Sequence, residues 1–239
     1  MKKIITYEKF RNFTYSNDAL IQGEIRGIIL SFMGLNGRDM FEEHDRGNAL
    51  AEKGIVFLIP YLNPWNWMNE QAVAYMDELI DVLFEHYRLP EDTPVVSTGG
   101  SMGGLCSLVY TKYAKRTPVA CVSNCPVCDL LFHYTERSDL PRTLYSAFGM
   151  YEADTLEEAM ATTSPLHLAD GMPDVKYTIF HCDADKSVNI HSHSEKFVEE
   201  MRKAHDIEYI VVPGRGHCQL GEEFMPLYEK AAEDAILNR

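Results

Sequence analysis

A chain of 239 residues has room for one large α/β domain or two small ones, and a domain of that size buries roughly 70–75% of its unfolded surface without staples. Its 22 basic and 36 acidic residues leave a net charge of -14 with no local Lys/Arg cluster, which disfavours nucleic acid and anionic lipid as partners. No run reaches the roughly 18 apolar residues of a membrane span. The N-terminal MKKIITYEKFRNF lacks a signal-peptide core, so the six cysteines read as reduced thiols of a cytoplasmic protein.

In chain order, the first thirty residues, rich in Tyr, Phe and Thr, predict one or two antiparallel edge strands. Six apolar runs then follow: IILSF (28–32), IVFLI (55–59), VVS (95–97), VACV (119–122), YTIF (177–180) and YIVV (209–212). They are continuous rather than alternating, as in strands buried on both faces of a parallel sheet. Between them, Val73, Met76, Ile80, Leu83, Phe84 and Tyr87 mark one face of a helix that stops before Pro90. Phe197 and Met201 mark a second helix, and Phe224, Leu227 and Tyr228 mark a last one from about Glu222. Strand alternating with helix predicts an α/β fold with a doubly wound, mostly parallel sheet and right-handed crossovers. The stretch 129–165 is too long for a connection and is helical in pattern, though broken by Pro141 and Gly149. It predicts a lid-like helical insertion in a single domain spanning 1–239.

The stretch VVSTGGSMGGL (95–105) carries the chemistry. Gly99-Gly100-Ser101-Met102-Gly103 matches G-x-S-x-G between a strand and a helix, the turn that projects a serine hydroxyl into a cleft. Side chains two residues before and after the serine would clash with neighbouring backbone, and the following helix N-terminus directs free N–H groups at the reacting atom. Such a serine needs a base, and the base needs an orienting carboxylate, both on loops after later strands. Of nine histidines, His217 alone sits on a glycine-flanked loop after a late strand; His86, His167 and His205 read as helix or surface residues. For the acid, Asp183, Asp185 and Asp129 all follow strands and all remain open on the residues themselves.

These motifs resemble the α/β-hydrolase superfamily, and within it the prolyl-oligopeptidase-like and dienelactone-hydrolase-like serine esterases. The resemblance covers about residue 28 to the C-terminus and rests on GGSMGG around Ser101, SPLHLAD (164–170), His181-x-x-x-Asp185-x-x-Val188 and PGRGH ending at His217. It implies Ser101 as nucleophile, His217 as base and Asp185 as acid, although Cys182 and Asn189 replace the family's usual Gly and Pro. The oxyanion hole would pair the Met102 N–H with one from the loop FMGLNG (32–37), by resemblance that of Leu35. Dienelactone hydrolases proper use a cysteine nucleophile, so Ser101 disfavours their reaction.

Other features point elsewhere and are weaker. His181, Asp183, Asp185, His191 and His193 crowd one stretch but meet no recognised metal spacing, and His191 and His193 read as the solvent-facing start of a helix. No metal and no cofactor are expected. Cys125 and Cys128 have the spacing of a redox pair without its context. Trp65 and Trp67, with Tyr61, are candidate substrate-pocket residues, as are Tyr145 and Phe148 of the insertion. That segment also offers Leu131, Phe132, Tyr134, Leu144 and Met150, expected to lie over the rim above Ser101. The expected activity is hydrolysis of small to medium, neutral carboxylic esters. A peptidase or amidase ranks second, because the family's peptidases usually carry a propeller domain for which 239 residues leave no room. A non-catalytic hydrolase-fold binding protein ranks third, disfavoured by a complete Ser/Asp/His set.

Overall fold

The continuous apolar runs become adjacent strands of one sheet. In the computed structural model, which describes residues 4–149 and 153–238, the strands are β1 (Thr14–Ser16), β2 (Gly27–Phe32), β3 (Ile55–Pro60), β4 (Val95–Gly100), β5 (Ala120–Asn124), β6 (Lys176–Cys182) and β7 (Ile207–Val212). Their order is β1-β3-β2-β4-β5-β6-β7. Only β1 is antiparallel, paired to β3 through Thr14↔Pro60 and Ser16↔Leu58; the other neighbours run parallel. The N-terminal region therefore supplies one edge strand, and residues 7–12 form a 3-10 turn that buries Phe10.

Alternate residues of each central strand feed opposite layers, because successive side chains leave a strand on opposite faces. Ile28, Leu30, Val56 and Leu58 pack with helix α2 (Glu70–Tyr87) and helix α3 (Met102–Tyr113). Ile29, Ile55, Phe57 and Val96 pack with Leu50 of helix α1 (Asp45–Glu52) and with Tyr228, Ala232 and Ile236 of the last helix, Gly221–Leu237. Covered on both faces, these strands have no polar side to alternate. In the last helix the buried stripe runs in steps of four from Tyr228. Leu227 lies one residue off that stripe and is 47% exposed, so it does not share the core face with Tyr228 as the sequence pattern had it.

Between β5 and β6 the chain forms four short helices among the described residues: α4 (Leu130–Glu136), α5 (Leu140–Phe148), α6 (Leu156–Ala161) and α7 (Pro165–Leu168). Asp129 caps α4 by accepting the Phe132 N–H, Pro141 opens α5 rather than breaking it, and Thr155 and Glu158 form a capping box on α6. Leu140, Leu144, Ala147 and Phe148 turn inward from α5, while Tyr145 faces out. Met150 lies outside the described residues. After β6 come α8 (Ser194–Met201), which buries Phe197 and Met201, and then the final helix, α9 (Gly221–Leu237). No helix among the described residues is long and apolar enough to cross a membrane.

The passage from β4 to α3 is the tightest in the fold. A β-carbon on Gly103 would lie 2.1 Å from the Phe32 carbonyl oxygen, and one on Gly99 would lie 2.2 Å from the Gly103 carbonyl oxygen. Between them Ser101 takes φ 60° and ψ -125°, outside the regions a side chain prefers. Replacing Gly103 with alanine should cost about 1–3 kcal/mol in urea denaturation, since the methyl group must push α3 off β2. An unfolding curve that overlays the wild type would contradict this backbone contact.

Candidate active site

In a parallel sheet every strand ends at the same edge, so loops after β4, β6 and β7 meet there. Ser101 follows β4, Asp185 follows β6 and His217 follows β7. The Ser101 hydroxyl lies 2.8 Å from His217 Nε2, and His217 Nδ1 lies 2.6 Å from Asp185 Oδ2. A carboxylate only accepts, so Nδ1 carries a proton, and in the neutral imidazole Nε2 is left to accept from Ser101. The second oxygen of Asp185 accepts the Ser187 and Val188 N–H groups at 2.8 and 2.9 Å, which fixes the carboxylate plane. His181 donates from Nε2 to the Val188 carbonyl at 3.0 Å and stands 3.6 Å from Asp185 Oδ2.

The other two acid candidates are occupied elsewhere. Asp183 accepts the Gly214 N–H at 2.6 Å, tying the β6 loop to the β7 loop, and Asp129 caps α4. Burial alone would raise the pKa of Asp185, but His181, His217 and the Val188 N–H hold it far below the ordinary carboxylate range. Burial alone would lower that of His217, yet the hydrogen bond to Asp185, joined by Cys125, outweighs it and pushes it up to about 9.

Met102 is the first residue of α3, so its N–H has no intrahelical acceptor. Leu35 occupies a turn closed by Gly37 N–H to the Gly34 carbonyl at 2.9 Å, with Asn36 at φ 64°. That turn abuts the serine: a β-carbon on Gly34 would lie 3.8 Å from Ser101 Cβ. Neither the Met102 nor the Leu35 N–H is used in a loop or cap hydrogen bond among the described residues. Leu35 and Asn36 line a cleft of about 450 Å³ with Ser101, His217, Cys218, Ser187 and Arg137.

The four aromatic candidates separate. Trp65 lines a separate cavity of about 210 Å³ with Tyr61 and Tyr75, donating from Nε1 to Asn36 Oδ1 at 2.7 Å and so bracing the Leu35 turn, with the Arg142 guanidinium 5.3 Å over its ring. Trp67 is wholly buried and donates to Thr143 Oγ1 of α5 at 3.1 Å. Phe148 lines a different cavity, of about 560 Å³, with Met68, Val73 and Tyr113. Tyr145 is 67% exposed. None of the four, Trp65, Trp67, Tyr145 and Phe148, is therefore among the residues that line the Ser101 cleft; α5 lays its apolar stripe against the core instead of over the rim. What this segment does bring to the cleft is Arg137, at the end of α4, forked onto Asp139 at 3.0 and 2.6 Å. Nothing in the pattern around Arg137 announces it. Cys218, also missed, was signalled only by following His217 directly.

Of the histidine and acid residues crowded after β6, His181 stays beside Asp185 at 3.6 Å and the others disperse. His191 is exposed and pairs with Glu195 at 2.7 Å. His193 is wholly buried, not solvent-facing as its position before α8 suggested. Its Nδ1 accepts the Cys128 and Asp129 N–H groups at 3.2 and 3.1 Å, and Nε2 donates to Glu136 at 2.8 Å. Glu136 also takes His133, and against its burial these two imidazoles hold it down to about 2. With Nδ1 filled by two amides the His193 proton sits on Nε2, so this trio clamps α4 to α8 and has no lone pair there for a cation. Cys125 and Cys128 are buried and unlinked. Cys125 Sγ accepts the Cys182 and Cys218 N–H groups, each at 3.4 Å.

With this geometry in place, residues 70–238 match the sequence profile of the prolyl oligopeptidase family. The chain belongs to that family, whose members are serine hydrolases of the α/β-hydrolase fold. None of the curated proteins matches. Among solved structures, Pyrococcus horikoshii acylaminoacyl peptidase superposes with a TM-score of 0.67 at 15% identity, over 89% of this chain and 37% of that one. Thermogutta terrifontis esterase 2 gives 0.65 at 17%, over 92% and 87%. An S-formylglutathione hydrolase from Agrobacterium tumefaciens gives 0.65 at 17%, over 89% and 85%. At these identities the likeness is one of fold. The chain spans little more than a third of the peptidase it matches and most of the other two.

The geometry sets a pH dependence. If His217 acts as base it must be neutral, and it is protonated below its pKa, so kcat/KM should rise with pH along a limb near about 9. Asp185→Asn removes what holds that value up and spoils the tautomer. It should shift the limb to lower pH and cut kcat about 10⁴-fold. A wild-type limb at the ordinary histidine value of about 6.5 would contradict the coupling to Asp185.

Proposed function

We propose that this protein hydrolyses carboxylic esters of small to medium size through an acyl-enzyme on Ser101. The observation that carries the reading is the hydrogen-bonded chain from Ser101 through His217 to Asp185, opening on a cleft of about 450 Å³. His217 takes the hydroxyl proton as Ser101 Oγ attacks the ester carbonyl carbon, and the Met102 and Leu35 N–H groups receive the developing oxyanion. Collapse of the tetrahedral intermediate breaks the C–O bond, and His217 returns its proton to the departing alcohol. Water, deprotonated by the same nitrogen, then attacks the acyl-enzyme and releases the acid. Asp185 stays ionised throughout, orienting the imidazole and balancing the imidazolium.

The size class follows from what surrounds the serine. The volume lies at the small end of pockets for drug-sized ligands. The apolar stripe of α5 faces the core, so among the described residues this helix adds no long apolar trough beside Ser101. Neutral substrates are favoured because the net charge of -14 repels anions at long range and the Arg137 guanidinium is already engaged by Asp139. We further infer a cytoplasmic location, which six unlinked cysteines support.

A second reading, cleavage of peptide or other amide bonds, is favoured by the family match and by the superposition on a peptidase. The two part on leaving group. Purified protein should give a higher kcat/KM on p-nitrophenyl esters than on matched p-nitroanilides. Across acetate to palmitate the esters should peak at short to medium acyl length, each methylene that fits adding up to about 0.8 kcal/mol. Anilide cleavage that equals or exceeds ester cleavage would overturn the ester reading, and an optimum at palmitate would overturn the size class.

A further inference from the structure

Among the described residues, seven other than glycine have positive φ, and three of them, Ser101 (60°), Cys125 (45°) and Cys218 (58°), meet around one imidazole. Side chains held in left-handed backbone cost of order 1–3 kcal/mol each and collect where their placement matters. The turn into α3 accounts for Ser101. Acyl transfer has no use for the two thiols. Yet Cys218 Sγ lies 3.8 Å from His217 Nε2, and Cys125 Sγ, Cys218 Sγ and a ring nitrogen of His217 all lie within 4.8 Å of one another.

We propose that Cys125, Cys218 and His217 form an inhibitory site for a thiophilic divalent cation of the zinc or cadmium kind. Nitrogen and sulfur ligands of one tetrahedral zinc stand about 3.5–3.8 Å apart, given Zn–N and Zn–S bonds of about 2.0 and 2.3 Å. The Cys218 to His217 distance of 3.8 Å is within about 0.3 Å of the nitrogen–sulfur value, a small side-chain adjustment. The imidazole is prepared as a ligand: its Nδ1–H is held by Asp185, the outer carboxylate that orients metal-bound histidines, and its Nε2, which accepts from Ser101 in the metal-free protein, has Cys218 Sγ at 3.8 Å. The hydrogen bond with Cys218 and burial raise the Cys125 thiol well above its ordinary range against the two backbone N–H groups directed at its sulfur, so the cation itself must displace that proton. Gly100 leaves room for Cys218, since a β-carbon there would lie 3.2 Å from its sulfur. Binding expels one proton from each thiol, and two thiolates cancel the dication, so no net charge is buried. Cys218 borders the Ser101 cleft, leaving the fourth position open to water or the Ser101 hydroxyl. While Nε2 holds the cation it cannot take the serine proton, and the enzyme is off until a chelator withdraws the ion.

Binding does not depend on the ester reading, whereas inhibition does, and two readouts separate them. Reduced, metal-free protein is titrated with cadmium while the ultraviolet thiolate-to-cadmium charge-transfer band is recorded, then with zinc while hydrolysis is recorded. One equivalent should develop the band. Cys218→Ser and Cys125→Ser should each weaken binding by at least roughly tenfold. Zinc should inhibit the wild type reversibly by EDTA, and the concentration for half-inhibition, relative to each variant's own metal-free rate, should rise by a similar factor. Should Cys125→Ser fail to fold, the half-exposed Cys218 decides alone. No band, or a band unchanged by Cys218→Ser, overturns the site; a band without inhibition overturns its effect on His217. Inhibition without a band puts the metal on the imidazole alone and overturns the role of the thiols. If no substrate is hydrolysed at all, the function reading fails and the band still tests the site.

Discussion

Helix α3 meets the end of β2 backbone to backbone, with the Gly103 α-carbon against the Phe32 carbonyl and no room for a methyl group between them. That contact draws the start of α3 back under the sheet edge. The chain must then reverse within one residue, and Ser101 takes the positive φ that this reversal demands. Its carbonyl is claimed by Gly104 and Leu105, its N–H by Asn124, so only the hydroxyl is left to face outward. Any relaxation of the glycine contact would let the serine fall back into an ordinary turn. The hydrogen bond to His217, the approach of the Leu35 turn and the free N–H of Met102 all presuppose that it does not.

The electrostatics follow from the same edge. Asp185 is stripped of solvent but given two amides on one oxygen and His217 on the other, so it stays charged where burial alone would neutralise it. That fixed charge holds a proton on Nδ1 and raises the affinity of the whole imidazole for a second one. The same preparation that would make His217 a base for a serine would make it a ligand for a soft cation, and strained backbone puts two thiols beside it. Catalysis and metal inhibition would then compete for one lone pair.

Much of this was written in local sequence. Runs such as IVFLI, with no polar residue to alternate, could only be strands covered on both faces, and the glycines flanking Ser101 marked a turn that excludes side chains. Contacts between distant segments were not readable in this way. Asp183 and Asp185 share one loop and differ only in which carboxylate the Ser187 and Val188 amides can reach. The motif resemblance named Asp185, and periodicity had no means to. His193 looked like a surface residue opening a helix because its partners, Glu136 and the amides of Cys128 and Asp129, lie some sixty residues earlier. Trp67 and Phe148 belong to segments that the sequence places at the catalytic edge, the loop after β3 and the insertion, which makes them candidate pocket walls. Their direction is set by how α5 docks, with Thr143 taking the indole N–H and Leu140, Leu144 and Ala147 facing inward.

The claim on which the rest stands is that Ser101 is a nucleophile activated by His217. Intact-protein mass spectrometry after treatment with a fluorophosphonate tests it most directly, since the probe reacts with an activated serine whatever the natural substrate. One phosphonyl group per chain is expected, located by peptide mapping to Ser101, absent from folded Ser101→Ala and formed far more slowly on His217→Gln. An adduct on another residue, an adduct that survives Ser101→Ala, or an unmodified wild-type protein would contradict it.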